Sequence, residues 1–171
     1  MSFLQRLFPD RNRRLALAPL YAAIVAEGRA PFWYREGDVP DTIDGRFDMI
    51  SSILSLVLLR LEKDGEAARD PSVLLTEIFI DDMDATLRQI GIGDYVVGKH
   101  VGRMMSALGG RLGAYRAALP EGSLQESVAR NIFHEAVPSD AALAFVAGGL
   151  ERLAAALDAA PTTELLEGRL P

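Results

Sequence analysis

The residues best equipped for chemistry in this chain are aspartates, and they fall in two groups. DVPDTIDGRFDMI (residues 38–50) holds Asp38, Asp41, Asp44 and Asp48 beside Arg46, and IFIDDMDATLRQ (residues 78–89) holds Asp81, Asp82 and Asp84 beside Arg88. Carboxylates facing one another from neighbouring helices can hold magnesium for diphosphate chemistry. Asp41, Asp44, Asp81, Asp82 and Asp84 are the set such an enzyme would use. The same residues can instead build a structural ion-pair lattice or the polar rim of a partner-binding surface. Their irregular spacing, with no basic cluster for a diphosphate, favours the lattice.

Other chemistry is thinly supplied. There are no cysteines, which removes disulfides, thiolate metal sites and cysteine nucleophiles together, and only His100 and His134 could act as imidazoles. No nucleophile–base–orienter set and no phosphate-cradling glycine loop can be assembled. A net charge of −6 argues against general DNA or RNA binding, although residues 1–30 carry +3 and the remainder −9. A basic N-terminal arm of that kind either touches anionic lipid or RNA or is simply solvated. No signal peptide is apparent, and the longest apolar run, Ile50 to Leu59, is short of a membrane span. These features suggest a soluble protein.

The elements that must position these groups read as helices throughout. The 171 residues suggest one domain: a basic arm over 1–12, an all-α domain of six or seven helices over 13–160, and a tail over 161–171 that docks weakly or frays. Apolar spacing predicts a first helix over Arg13–Glu27 with Leu17, Leu20, Tyr21 and Ile24 inward, interrupted or kinked at Pro19. A loop over Gly28–Pro40 carries Phe32, Trp33 and Tyr34. A second helix over Thr42–Lys63 is apolar on most sides, as a central helix must be, with a polar seam of Asp44, Asp48, Ser51, Ser52 and Ser55. Pro71 and Ser72 open a third helix that stops at Gly91, and Asp94 is placed to cap a fourth that reaches Leu119. A shorter helix over Ser123–His134 would leave His134 at its C-terminal dipole, and Pro138-Ser139-Asp140 starts a last one with Leu143, Val146, Leu150, Leu153 and Leu157 on one stripe.

The fourth helix, YVVGKHVGRMMSALGGRLGAY, carries Gly98, Gly102, Gly109, Gly110 and Gly113. Each interior glycine costs about 0.5–1 kcal/mol relative to alanine, so something must offset the total. Gly98, Gly102, Ser106, Gly109, Gly113 and Ala117 form a smooth strip beside an apolar stripe of Val97, Val101, Met104, Leu108, Leu112 and Tyr115. Either an internal helix fills the strip, or a guest helix does, with Met104 and Met105 as adaptable lining.

AEGRAPFWYREGDVPDTIDGRFDMI, then IFIDDMDATLRQIGIGDYVVGKHVGRMMSALGGRLGAYRAAL and RNIF, resemble the ubiquinol–cytochrome c chaperone family over about Tyr21 to Phe133. The resemblance implies a bacterial assembly chaperone for the cytochrome bc1 complex, not an enzyme and with no cofactor or metal, that binds newly made cytochrome b. It works on the cytoplasmic side, peripheral to the inner face of the membrane. It also raises contacts with the ribosome and with a small partner protein. The alternatives are a generic helical adaptor for another soluble protein and the metal-dependent enzyme above. Matching positions are Trp33, Tyr34, Val39, Pro40, Asp41, Asp44, Gly45, Arg46, Phe47 and Asp48, then Asp82, Met83, Asp84, Leu87, Arg88, Gly91, Gly93, Asp94 and Lys99. The chain departs from the family at Ser51-Ser52-Ile53, where an apolar pair and a histidine are expected, and at Leu108-Gly109-Gly110-Arg111, where an aromatic pair precedes Gly-Arg. The expected division of labour follows. Asp41, Asp44, Arg46, Asp48, Asp84, Arg88 and Asp94 lock the second, third and fourth helices. Trp33, Tyr34, Val39, Pro40, Phe47, Gly98, Val101, Gly102, Met104 and Met105 meet the client.

Overall fold

The computed structural model describes residues 9–91 and 93–171, and the side chains of these apart from residues 9–11, 94 and 95. No strand occurs among the described residues, and the fold is all-α. Helix α1 (Pro9–Gly28) runs through Pro19 and buries Leu17, Leu20 and Ile24, the face its spacing predicts. The aromatic segment is not a loop: Pro31 occupies the first turn of a short helix α2 (Pro31–Arg35), a position where the missing N–H costs nothing.

Helix α3 (Ile43–Glu62) starts where Thr42 caps it, its side-chain oxygen accepting a hydrogen bond from the Gly45 N–H at 3.1 Å. It is the central helix and is packed by α1, by α4 (Arg69–Gln89), by α5 (Asp94–Ala118) and by α7 (Asp140–Ala159). That explains why its apolar residues occupy nearly every side. A 3-10 turn (Gly65–Ala68) leads into α4, which therefore starts ahead of Pro71 and takes the proline into its first turn. Gly91, at φ +87°, provides the expected stop. Gly93, not Asp94, is the N-cap of α5, and Asp94 is its first helical residue.

Between α5 and α7 the chain forms α6 (Gln125–Val128) and a π-helical turn (Ala129–Phe133) in place of one regular helix. Ser139 caps α7 by accepting from the Ala142 N–H at 3.1 Å. The residues after Pro161 dock firmly. Helix α8 (Thr162–Leu166) buries Leu165 completely, and Gly168 lies so close to the Pro19 backbone that a Cβ there would sit 2.7 Å from it. Arg60 fixes this end: it donates to the carbonyls of Leu157 and Ala160, to Thr162 Oγ1, and to Asp64 at 2.9 Å.

Candidate functional site

The polar seam of α3 turns inward and meets one residue of α5. Asp48 and Arg111, 63 residues apart, are joined by a 2.7 Å ion pair with side chains only 5% and 1% exposed. Arg111 also donates to Ser51 Oγ and to the Asn131 carbonyl in the π turn, and its guanidinium lies over the Phe47 ring at 5.9 Å. Its Nε is buried without a partner. His134 completes the cluster through a 2.8 Å contact between Nε2 and the second Asp48 oxygen. Its backbone is held at φ +53°, a strained conformation for a non-glycine residue, where the Asp48 contact places the ring. Tyr115, fully buried, donates to Ser52 Oγ at 3.0 Å. Ser51, Ser52 and Ser55 each return a hydrogen bond to an α3 carbonyl one turn back.

Burial pushes the Asp48 carboxyl above the usual carboxylate range, while Arg111 and His134 pull it back down. Burial likewise raises the Tyr115 phenol. The cluster ties α3, α5 and the π turn together across the middle of the molecule.

This overturns part of the expected lattice. Arg46 does not bridge helices; it pairs locally with Asp41 at 2.6 Å, both about half exposed. Asp84 and Arg88 pair within α4 at 2.6 Å. Asp44 is an exposed first-turn residue of α3, and the Asp94 side chain lies outside the described residues. Asp48 joins two helices, and its partner is Arg111. Sequence reasoning missed Arg111, His134 and Tyr115 as a group. One signal was available: Arg111 stands three residues after Leu108 and four before Tyr115, on the buried stripe of α5 and not on its polar face. His134 follows the π turn, as its placement at a helix end predicts, but its ring is turned to Asp48.

The aspartates proposed for magnesium are held separately. Asp81 pairs with Arg14, Asp82 accepts from the Tyr21 hydroxyl, Asp84 takes Arg88 and Asp41 takes Arg46. Among the described residues no group of three histidine, aspartate or glutamate side chains is arranged to hold a metal ion.

Several expected client contacts are core residues. Trp33 is 2% exposed, packs edge-on to Phe145, fills the space above Gly149 and donates from Nε1 to the Glu27 carbonyl at 2.9 Å. Val39 and Phe47 are also buried, and Tyr34 donates to the Gly28 carbonyl at 2.6 Å. These residues shape the surface from beneath because the aromatic segment packs down on α7. Pro40 is half-buried.

The face of α5 behaves differently. Val97, Leu108, Arg111 and Tyr115 point into the core, Val101, Met104, Met105 and Leu112 lie at the border, and Gly98, Gly102, Gly109, Gly110 and Gly113 are exposed. A Cβ added at any of these five glycines would meet nothing within 4 Å. The strip is therefore not filled from within, and the internal alternative falls. Lys99 is exposed, and His100 stands 2.8 Å from Arg103.

The model of the family described as ubiquinol–cytochrome c chaperone matches residues 35–170. The chain belongs to the ubiquinol–cytochrome c chaperone family. The match begins after Tyr34, leaving out the Phe32-Trp33-Tyr34 stretch, and extends through α7 and α8, well beyond Phe133. The crystal structure of the Cbp3 homolog from Brucella abortus is similar to this family member, with a TM-score of 0.80 and 27% sequence identity, covering 98% of this chain and 95% of that one. No curated protein matches this chain. No described helix of this chaperone-family protein is long and apolar enough to cross a membrane.

Proposed function

We propose that the protein is an assembly chaperone for the cytochrome bc1 complex, that its client is newly made cytochrome b, and that the glycine-lined outer face of α5 is the client's seat. The family match over residues 35–170 carries the first part of this reading. The empty space above five glycines supports the last, because a helix without side chains lets another helix approach closely. Val101, Met104 and Met105 supply adaptable apolar contact along its edge. The Asp48–Arg111 cluster holds the opposite side of the same helix, so the seat keeps its shape when vacant. The protein acts without chemistry of its own, at the cytoplasmic side and in peripheral contact with the membrane where its client is inserted. Ribosome and small-partner contacts belong to the same reading.

In-cell photo-crosslinking tests it, with probes at Val101 and Met105 on the seat and at Val73 on α4 as a control. Cytochrome b attached at the two α5 positions and absent at Val73 is the expected result. A soluble protein at both α5 positions, with normal cytochrome bc1 levels in a deletion strain, would replace the chaperone by a helical adaptor.

A further inference from the structure

Ten of the fourteen arginines whose side chains are described are paired with a carboxylate. Arg13, Arg14, Arg60, Arg69, Arg116, Arg130 and Arg169 each reach an aspartate or glutamate within 4.0 Å, and so do Arg46, Arg88 and Arg111. Arg29, Arg35, Arg103 and Arg152 have no such pair among the described residues, although acidic residues outnumber basic ones by 24 to 18, and of these four Arg29 and Arg35 lie together. Both line one cleft of about 290 Å³ between α2 and the segment leading into α3, together with Pro31, Tyr34, Asp41 and Arg46. Arg46 gives its Nε to Asp41 at 2.6 Å, and neither of its terminal nitrogens is engaged by that bond. The cleft thus gathers three guanidinium groups against one carboxylate, a local excess of positive charge on a protein of net charge −6.

The backbone beneath these groups is fixed. Gly28, immediately before Arg29, packs so tightly on α3 that a Cβ would lie 2.8 Å from the Ile50 Cα. Gly45, immediately before Arg46, would place a Cβ 1.9 Å from the Pro40 carbonyl oxygen. The Tyr34 hydroxyl is tied to the Gly28 carbonyl at 2.6 Å, and burial raises its pKa, so the wall between the arginines is neutral and held in place. Two of the arginines therefore follow glycines whose backbone packs too closely on its neighbours to admit a side chain.

We infer that this cleft binds a phosphate group. One guanidinium fork satisfies a carboxylate, whereas three arginines lining one cleft match the several oxygens and the double charge of a phosphate monoester or the headgroup of an anionic phospholipid. The site is independent of the α5 seat and of what that seat holds.

Isothermal titration of the full chain with inorganic phosphate, and separately with phosphatidylcholine vesicles with and without phosphatidylglycerol, tests this. Arg29→Gln and Arg35→Gln remove no partner, so both variants keep the fold, which circular dichroism verifies; Arg152→Gln, outside the cleft, is the control. Binding of inorganic phosphate, weakened about tenfold or more in the two cleft variants and unchanged in the control, identifies a site for free phosphate groups. Binding only to vesicles containing phosphatidylglycerol, with the same variant pattern, identifies a headgroup site. No binding to either probe, or an equal loss in Arg152→Gln, overturns the inference.

Discussion

Replacing Arg111 with methionine probes the centre of the molecule most directly. The substitution keeps much of the apolar stem but leaves three groups behind: the Asp48 carboxylate at 5% exposure, the Asn131 carbonyl and the Ser51 hydroxyl. Ser51 retains the Phe47 carbonyl as acceptor and loses little. Asp48 retains only His134 and its burial. Removing one member of a buried pair typically costs about 3–5 kcal/mol, against a usual total of about 5–15 kcal/mol. With a urea slope of about 2 kcal/mol per molar, the unfolding midpoint should fall by about 1.5–2.5 M. The pH dependence has a defined sign. Asp48 already titrates above the usual range, and losing Arg111, its largest acid-strengthening neighbour, raises it further. A carboxyl raised in the folded state contributes most below its unfolded value of about 3.9 and loses that contribution as pH rises through the folded value. The deficit of Arg111→Met should therefore be greatest near neutrality and shrink on acidification toward pH 4. Adding Asp48→Leu should recover most of the loss, because two apolar groups replace two charges. A single variant within about 1 kcal/mol of the parent, or a double variant no better than the single, would refute the reasoning.

Glycine positions separate cleanly in the same assay. Gly102→Ala and Gly113→Ala should each stabilise by about 0.5–1 kcal/mol, since their Cβ enters empty space, whereas Gly45→Ala should destabilise by about 1–3 kcal/mol or more against the Pro40 carbonyl. Gly102→Leu should likewise not lower the unfolding midpoint, and should abolish the cytochrome b crosslink at Met105. The Asp64 carboxyl is held below the usual range by the Thr162 hydroxyl and Arg60, so its contribution exists above the unfolded value and disappears as pH falls through the folded one. Limited proteolysis should cut near α8 first on acidification, and Asp64→Asn should show that cleavage already at neutral pH.

The helical frame was readable in the sequence because local chemistry decides it. Thr42 and Ser139 cap where capping residues precede apolar runs, Gly91 turns left-handed where a stop was expected, and α3 is apolar all round because four helices surround it. Features that depend on distant partners were not readable. The serines of α3 looked like a polar face until Arg111 and Tyr115 arrived from α5, and Asp48 could not be separated from its exposed neighbours Asp44 and Arg46 by spacing. Trp33 illustrates the opposite error. An aromatic run between Gly28 and Pro40 suggests a contact surface, yet the indole packs on α7, where it occupies the space a side chain at Gly149 would need. The glycines of α5 were noticed for their cost, but only the absence of any neighbour could tell a filled strip from a vacant one.

That vacancy also sets a rhythm of motion. Amide protons of α3, enclosed by neighbours along its length, should exchange with solvent only when the whole domain opens. Those between Gly98 and Gly113 belong to a helix with low intrinsic propensity and one face bare, so they should exchange through brief local fraying long before that. The protein would then pair a slow-exchanging central post with a restless outer stave, and a helix seated on that stave would announce itself as a selective slowing of exchange along its bare face.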